Sequence, residues 1–164
     1  MRRFISHLLA SIILAPIATF WVKFQEKRIC TYGSALTKEQ HIWAHAVGIQ
    51  HPQKICIVRE PALAFPAPRH IAQFFEKRGM GLSKAAGMSL RYGIFISSET
   101  TLSQHLLCHE LTHTLQYERL GSIYSFLRQY LFECIYYGYS NSAMEKEADQ
   151  LAHTICKAYH GESH

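Results

Sequence analysis

The run His109-Glu110-Leu111-Thr112-His113 limits what this chain can become more than any other feature. On a helix, residues four apart lie on one face, one turn above the other. Two imidazoles so placed can reach one cation from adjacent turns, with the intervening glutamate projecting beside them. The pattern needs a helix here, and it needs another ligand from elsewhere. The flanks suit the helix: Ser103 is a good N-cap and Gly121 a good stop, which predicts a helix from Ser103 to about Leu120.

The motif alone is weak support. With 11 histidines in 164 residues, it arises by chance in roughly one such sequence in twenty. The downstream sequence adds weight. Glu145 and Asp149, the only aspartate in the chain, stand four apart in a third helix expected from Ser142 to about Tyr159. From one helical face the glutamate can be a third metal ligand, and the aspartate can accept the free ring N–H of a ligand histidine. Glu147 is the alternative third ligand.

The remainder reads as a little β structure followed by helices, an α+β layout. Thr37 and Gln40 form a capping box that opens a helix to about Val47. Lys54 to Arg59 alternates as a strand does, and residues 61 to 68 carry three prolines and read as loop. A helix is expected over 70–78. Ser89 to Ser97 reads as one strand, with Gly93 marking a bulge or a close backbone approach. A second, aromatic-rich helix is expected from Ser122 to about Tyr137.

Phe4 to Val22 is mostly apolar, with Arg2-Arg3 before it and Lys23 after it. It is just long enough to span a bilayer, but Ser6, His7, Ser11 and Pro16 interrupt it. Membrane association through residues 4–22, a cleaved signal and a packed helix are the three readings. Charged residues are 18% of the chain, below the usual share, which suits a surface partly covered by a membrane or partner. The net charge of +5 comes from scattered basic residues with no basic stripe, so no nucleic-acid partner is expected. Five scattered cysteines without a Cys-x-x-Cys pair argue against a disulfide framework and a zinc finger, and favour a reduced compartment.

The histidine motif followed by Glu145-x-x-x-Asp149 resembles the gluzincin zinc metallopeptidases. Ser142 to Ala152 is similar to the glutamate-helix pattern of the CAAX-prenyl-protease and heat-shock-protease group. The stretch from His109 to Leu131 resembles small bacterial metallopeptidases of unassigned substrate. Together these cover roughly residues 88 to 152. The chain departs from the membrane-embedded group in lacking several long transmembrane segments. The resemblance implies a minigluzincin-like fold, in which a small β-sheet packs on a mainly helical domain holding the motif helix and the glutamate helix. It also implies zinc held by His109, His113 and Glu145, with Asp149 in support. On this reading residues 1–30 are an apolar N-terminal segment, anchor or packed helix, and residues 31–164 the metallopeptidase domain. The expected activity is hydrolysis of a peptide or protein substrate by a zinc-bound water that Glu110 activates as general base. The protein would be membrane-associated or cytoplasmic. The rival is a non-catalytic, zinc-stabilised and membrane-tethered binding domain.

Neighbouring residues have blander expectations. His105 is expected on the rim or in support of the ligands, because it is too far along the helix axis to share an ion with both His109 and His113. Cys108 is expected to be a core thiol, and His153 structural. The oxyanion-stabilising residue stays open among Tyr139, Tyr137, Tyr117, Arg119 and Arg128. The aromatic side chains between Tyr124 and Phe132 are expected in the core.

Overall fold

The computed structural model describes residues 2–63, 73, 76 and 85–161. Its elements run α1 (Arg2–Tyr32), β1 (Ser34–Ala35), α2 (Lys38–Val47), β2 (Cys56–Glu60), β3 (Gly87–Leu90), β4 (Gly93–Ser97), α3 (Gln104–Leu120), α4 (Ile123–Tyr137) and α5 (Ala143–Gly161). The fold is α+β. Apart from Gln73 and Glu76, the helix expected over 70–78 lies outside the described residues, as do residues 64 to 68 of the proline-rich loop.

Local chemistry sets the helix ends. Thr37 accepts from Gln40 N–H while the Gln40 side chain accepts from Thr37 N–H, closing the capping box of α2. Ser103 and Ser122 cap α3 and α4 by accepting from Leu106 N–H and Ser125 N–H. Gly121 ends α3 in the left-handed region at φ 75°, where a glycine pays no steric penalty.

The single strand expected over Ser89–Ser97 is instead a hairpin. Gly87–Leu90 pairs antiparallel with Gly93–Ser97, and Leu90 faces Gly93 across a turn at Arg91-Tyr92. Arg91 takes φ 67°, a turn conformation that its residue type does not advertise. Gly93 marks a close approach: a Cβ there would lie 3.1 Å from the α1 backbone at Glu26.

The sheet order is β1-β2-β4-β3, with β2 and β4 parallel and the other pairs antiparallel. The central strand β4 is buried along its whole length, and its side chains alternate between two cores. Phe95 joins Ala15, Val22 and Ile29 of α1 and Phe126, Leu127 and Leu131 of α4. Ile94 and Ile96 join Ala44 and Val47 of α2, Leu107 and Leu111 of α3, and Ile155 of α5. The sheet is therefore covered on both faces, and α3 is held between the sheet and the glutamate helix.

The apolar N-terminal segment lies within a 31-residue helix that contains Pro16. Ala15, Val22 and Ile29, at helical spacing, are buried in the same core as the body of the domain. Among the described residues, no helix is long and apolar enough to cross a membrane.

Candidate metal centre

The motif helix α3 is buried along one side, and the glutamate helix α5 packs across it. This brings His109, His113 and Glu145 together. His109 Nε2 lies 3.2 Å from His113 Nε2. Glu145 places one oxygen 3.3 Å from His109 Nε2 and the other 3.4 Å from His113 Nε2. The two ring nitrogens and the Glu145 carboxylate, which sends a different oxygen to each ring, thus form a triangle of donor groups that can hold a metal ion.

Each of these side chains is held in place from behind. His109 Nδ1–H donates to Asp149 Oδ1 at 2.9 Å, and His113 Nδ1–H donates to Gln116 Oε1 at 2.9 Å. A proton on each Nδ1 leaves each Nε2 lone pair facing the triangle. Tyr130 Oη donates to Glu145 Oε1 at 2.6 Å. The Tyr130 ring also packs edge-on against His113, with centroids 5.8 Å apart.

The rotation of α5 about its axis is fixed by Glu133 of α4. Its Oε2 accepts from Ser142 Oγ at 2.9 Å and from Met144 N–H at 3.0 Å. A buried carboxylate thus caps the start of α5, where N–H groups lack helical partners. Gln116 adds a second tie, donating to Met144 O and Glu147 Oε2. Glu147, the alternative third ligand, also accepts from Arg119, which draws it away from the triangle.

Glu110 is buried under β3, where the backbone N–H of Ser89 reaches it. Gly87 lies directly over its carboxylate: a Cβ there would sit 2.7 Å from Oε1. Burial pushes the Glu110 carboxyl pKa up, and the neighbouring imidazoles only partly offset this. Burial has the same sign for Glu145, but hydrogen bonds from His109, His113 and Tyr130 prevail and hold its carboxyl well below the usual range. For His109 burial disfavours the charged ring. The Glu145 bond and the charges of Glu110, Glu145 and Asp149 outweigh it and lift the pKa to about 9. His113 also moves up: burial is the largest single influence and opposes the charged ring, but the Glu145 bond and the charges of Glu145 and Glu110 together outweigh it.

The residues that sequence reasoning left open now have places. Tyr139 reaches Glu145, beside the cluster. Tyr117 is buried and stacked on Phe126, Tyr137 is exposed against Tyr136, Arg119 is paired with Glu147, and Arg128 is exposed. His105 is exposed on the rim of a shallow groove with Asp149, Gln150, His153 and Thr154, so His153 is a surface residue here. Cys108 is a core thiol, and burial pushes its pKa to about 12. Sequence reasoning missed Tyr130, Gln116, Glu133 and Gly87. The aromatic spacing of α4 predicts core packing, yet Tyr130 both packs against the core and donates to Glu145. Compared with known proteins, the chain matches no family model, no curated protein and no solved structure.

Proposed function

We propose that this protein is a zinc-dependent peptidase of gluzincin type, with His109, His113 and Glu145 as metal ligands and Glu110 as general base. The observation that carries the reading is the donor triangle with the Glu110 carboxyl beside it. The 3.2 Å between the two ring nitrogens, and the 3.3 and 3.4 Å from them to the two Glu145 oxygens, are of the size of the roughly 3.3 Å between ligand atoms of a tetrahedral ion bound at about 2.05 Å. Two imidazole nitrogens and one carboxylate favour zinc over magnesium or calcium, which prefer all-oxygen sets. When bound, zinc would supply Lewis acidity, lowering the pKa of a water and polarising a substrate carbonyl.

The chain's own residues do the rest. Glu110 accepts a proton from the attacking water and returns it to the leaving amine. Burial raises its pKa, the direction that suits a carboxylate that must accept a proton as well as give one. Asp149 and Gln116 hold the imidazole tautomers, and Tyr130 holds Glu145. Tyr139 is the oxyanion candidate whose place beside Glu145 suits that task. Among the described residues β3 is an outer strand, paired only with β4, and it runs over Glu110. An extended peptide pairing with its edge would bring a carbonyl to the cluster.

The rival reading, a closed structural zinc site, needs a fourth protein ligand. Among the described residues no fourth histidine, cysteine, aspartate or glutamate joins the group. Cys108 faces the apolar core and His105 the rim, which favours catalysis.

The test is metal analysis combined with cleavage of a quenched-fluorescent peptide library by the wild type and by Glu110→Gln. Equal zinc in both, with cleavage lost by at least 100-fold in the variant, is the expected result. Undiminished cleavage by the variant would end the assignment.

A further inference from the structure

We propose that the outer face of α1 seats the protein on an anionic lipid bilayer, with the helix in the plane of the membrane rather than across it. The peptidase reading is not needed for this inference. α1 is two-faced in an unusual way. Its inner face carries Ala15, Val22 and Ile29 into the core. Its outer face is also apolar: Ile13, Ile17, Phe20 and Phe24 are 66%, 70%, 77% and 61% exposed. These positions follow one another at steps of four, three and four residues, so they form one stripe. From Ile13 to Phe24 the stripe is about 17 Å long at 1.5 Å per residue. Large apolar side chains exposed singly need no explanation, but a continuous row of isoleucine and phenylalanine does.

Charge selects the occupant. No acidic residue occurs before Glu26, while Arg2, Arg3, Lys23 and Lys27 lie along the same helix. Lys23 and Lys27 are exposed, in step with Phe20 and Phe24. Glu26 is turned inward, with its carboxylate accepting from Tyr92 N–H at 3.3 Å. Arg28 and Glu60 neutralise each other in a two-pronged ion pair. The exposed charges beside the stripe on α1 are thus those of Lys23 and Lys27, which fits anionic headgroups above an acyl layer. A spanning arrangement conflicts with the fold. It would strip Ala15, Val22 and Ile29 from their partners, and the helix is not apolar enough to cross.

The experiment is co-sedimentation of the full chain with vesicles of phosphatidylcholine, with and without one-third phosphatidylglycerol. Expected is binding to the anionic vesicles that weakens as salt rises. The double variant Ile17→Ser/Phe20→Ser should bind at least tenfold more weakly, with its far-UV circular dichroism unchanged. If that variant fails to fold, Lys23→Gln/Lys27→Gln decides, through weaker binding and a shallower salt dependence. Equal binding by the folded variants, or no binding by the wild type, overturns the proposal. So does sedimentation velocity showing a dimer that the serine variant breaks, since a second copy would then cover the stripe.

Discussion

Replacing Gly87 with alanine tests whether β3 places the Glu110 carboxylate. The added Cβ would lie 2.7 Å from Glu110 Oε1 and 3.0 Å from its Cδ and Cγ, whereas ordinary contact begins at 3.4 Å. The carboxylate must therefore retreat by about 0.4–0.7 Å, since its packed surroundings limit which way it can move. A catalytic group tolerates about 0.5 Å of misplacement, and 1 Å can reduce the rate about 100-fold. Gly87→Ala should therefore lower kcat/KM by about 10- to 100-fold. Overpacking should reduce stability by about 1–3 kcal/mol. Zinc content should hold, because the close contacts of the new methyl are with Glu110 and not with a ligand. The assay is cleavage of the same peptide library, read beside zinc stoichiometry and the thermal midpoint. Full activity with full zinc would refute the reasoning, because the strand would then not be what fixes the base.

Other predictions follow from the same contacts. Glu133→Ala leaves Ser142 Oγ and Met144 N–H without their acceptor, and should lower stability by about 3 kcal/mol. For a chain of this size that is a fall of roughly 10 °C in Tm, and an unchanged melting curve by calorimetry would contradict it. Asp149→Ala frees the His109 ring, so zinc affinity by competition with a chelating dye should drop about 10- to 100-fold. In chelator, stability should peak at mildly acid pH. The Glu145 contribution is present above its unfolded value near 4.5 and lost as pH falls. The His109 contribution is present below 6.5 and lost as pH rises through about 9. Urea titrations from pH 4 to 10 check this, and stability still rising from pH 7 to 9 would contradict it.

Much of the secondary structure is legible in the sequence because its signals are local. Thr37 with Gln40, Ser103 with Gly121, and Ser122 each satisfy helix ends within four residues or mark where the helix must stop. The hairpin at Arg91 was not legible. Its turn uses a left-handed arginine rather than the expected glycine or asparagine, so two strands read as one. The N-terminal helix was ambiguous for a related reason. It is apolar on two faces, and composition does not distinguish the face that meets Phe126 from the face left outside.

For the site, the four-residue spacings of His109 with His113 and of Glu145 with Asp149 follow from helical geometry, and the sequence alone determines that each pair shares a face. Whether the two faces meet is decided by the long-range packing of α5 on α3. Tyr130, Gln116 and Glu133 reach their partners at the start of α5 across 9 to 31 residues of chain, at distances where no periodicity carries information. Glu145 rather than Glu147 joins the histidines because Glu133 and Gln116 fix the start of α5 while Arg119 draws Glu147 aside. That choice comes from buried hydrogen bonds between separate elements, and these exist only once the chain has folded.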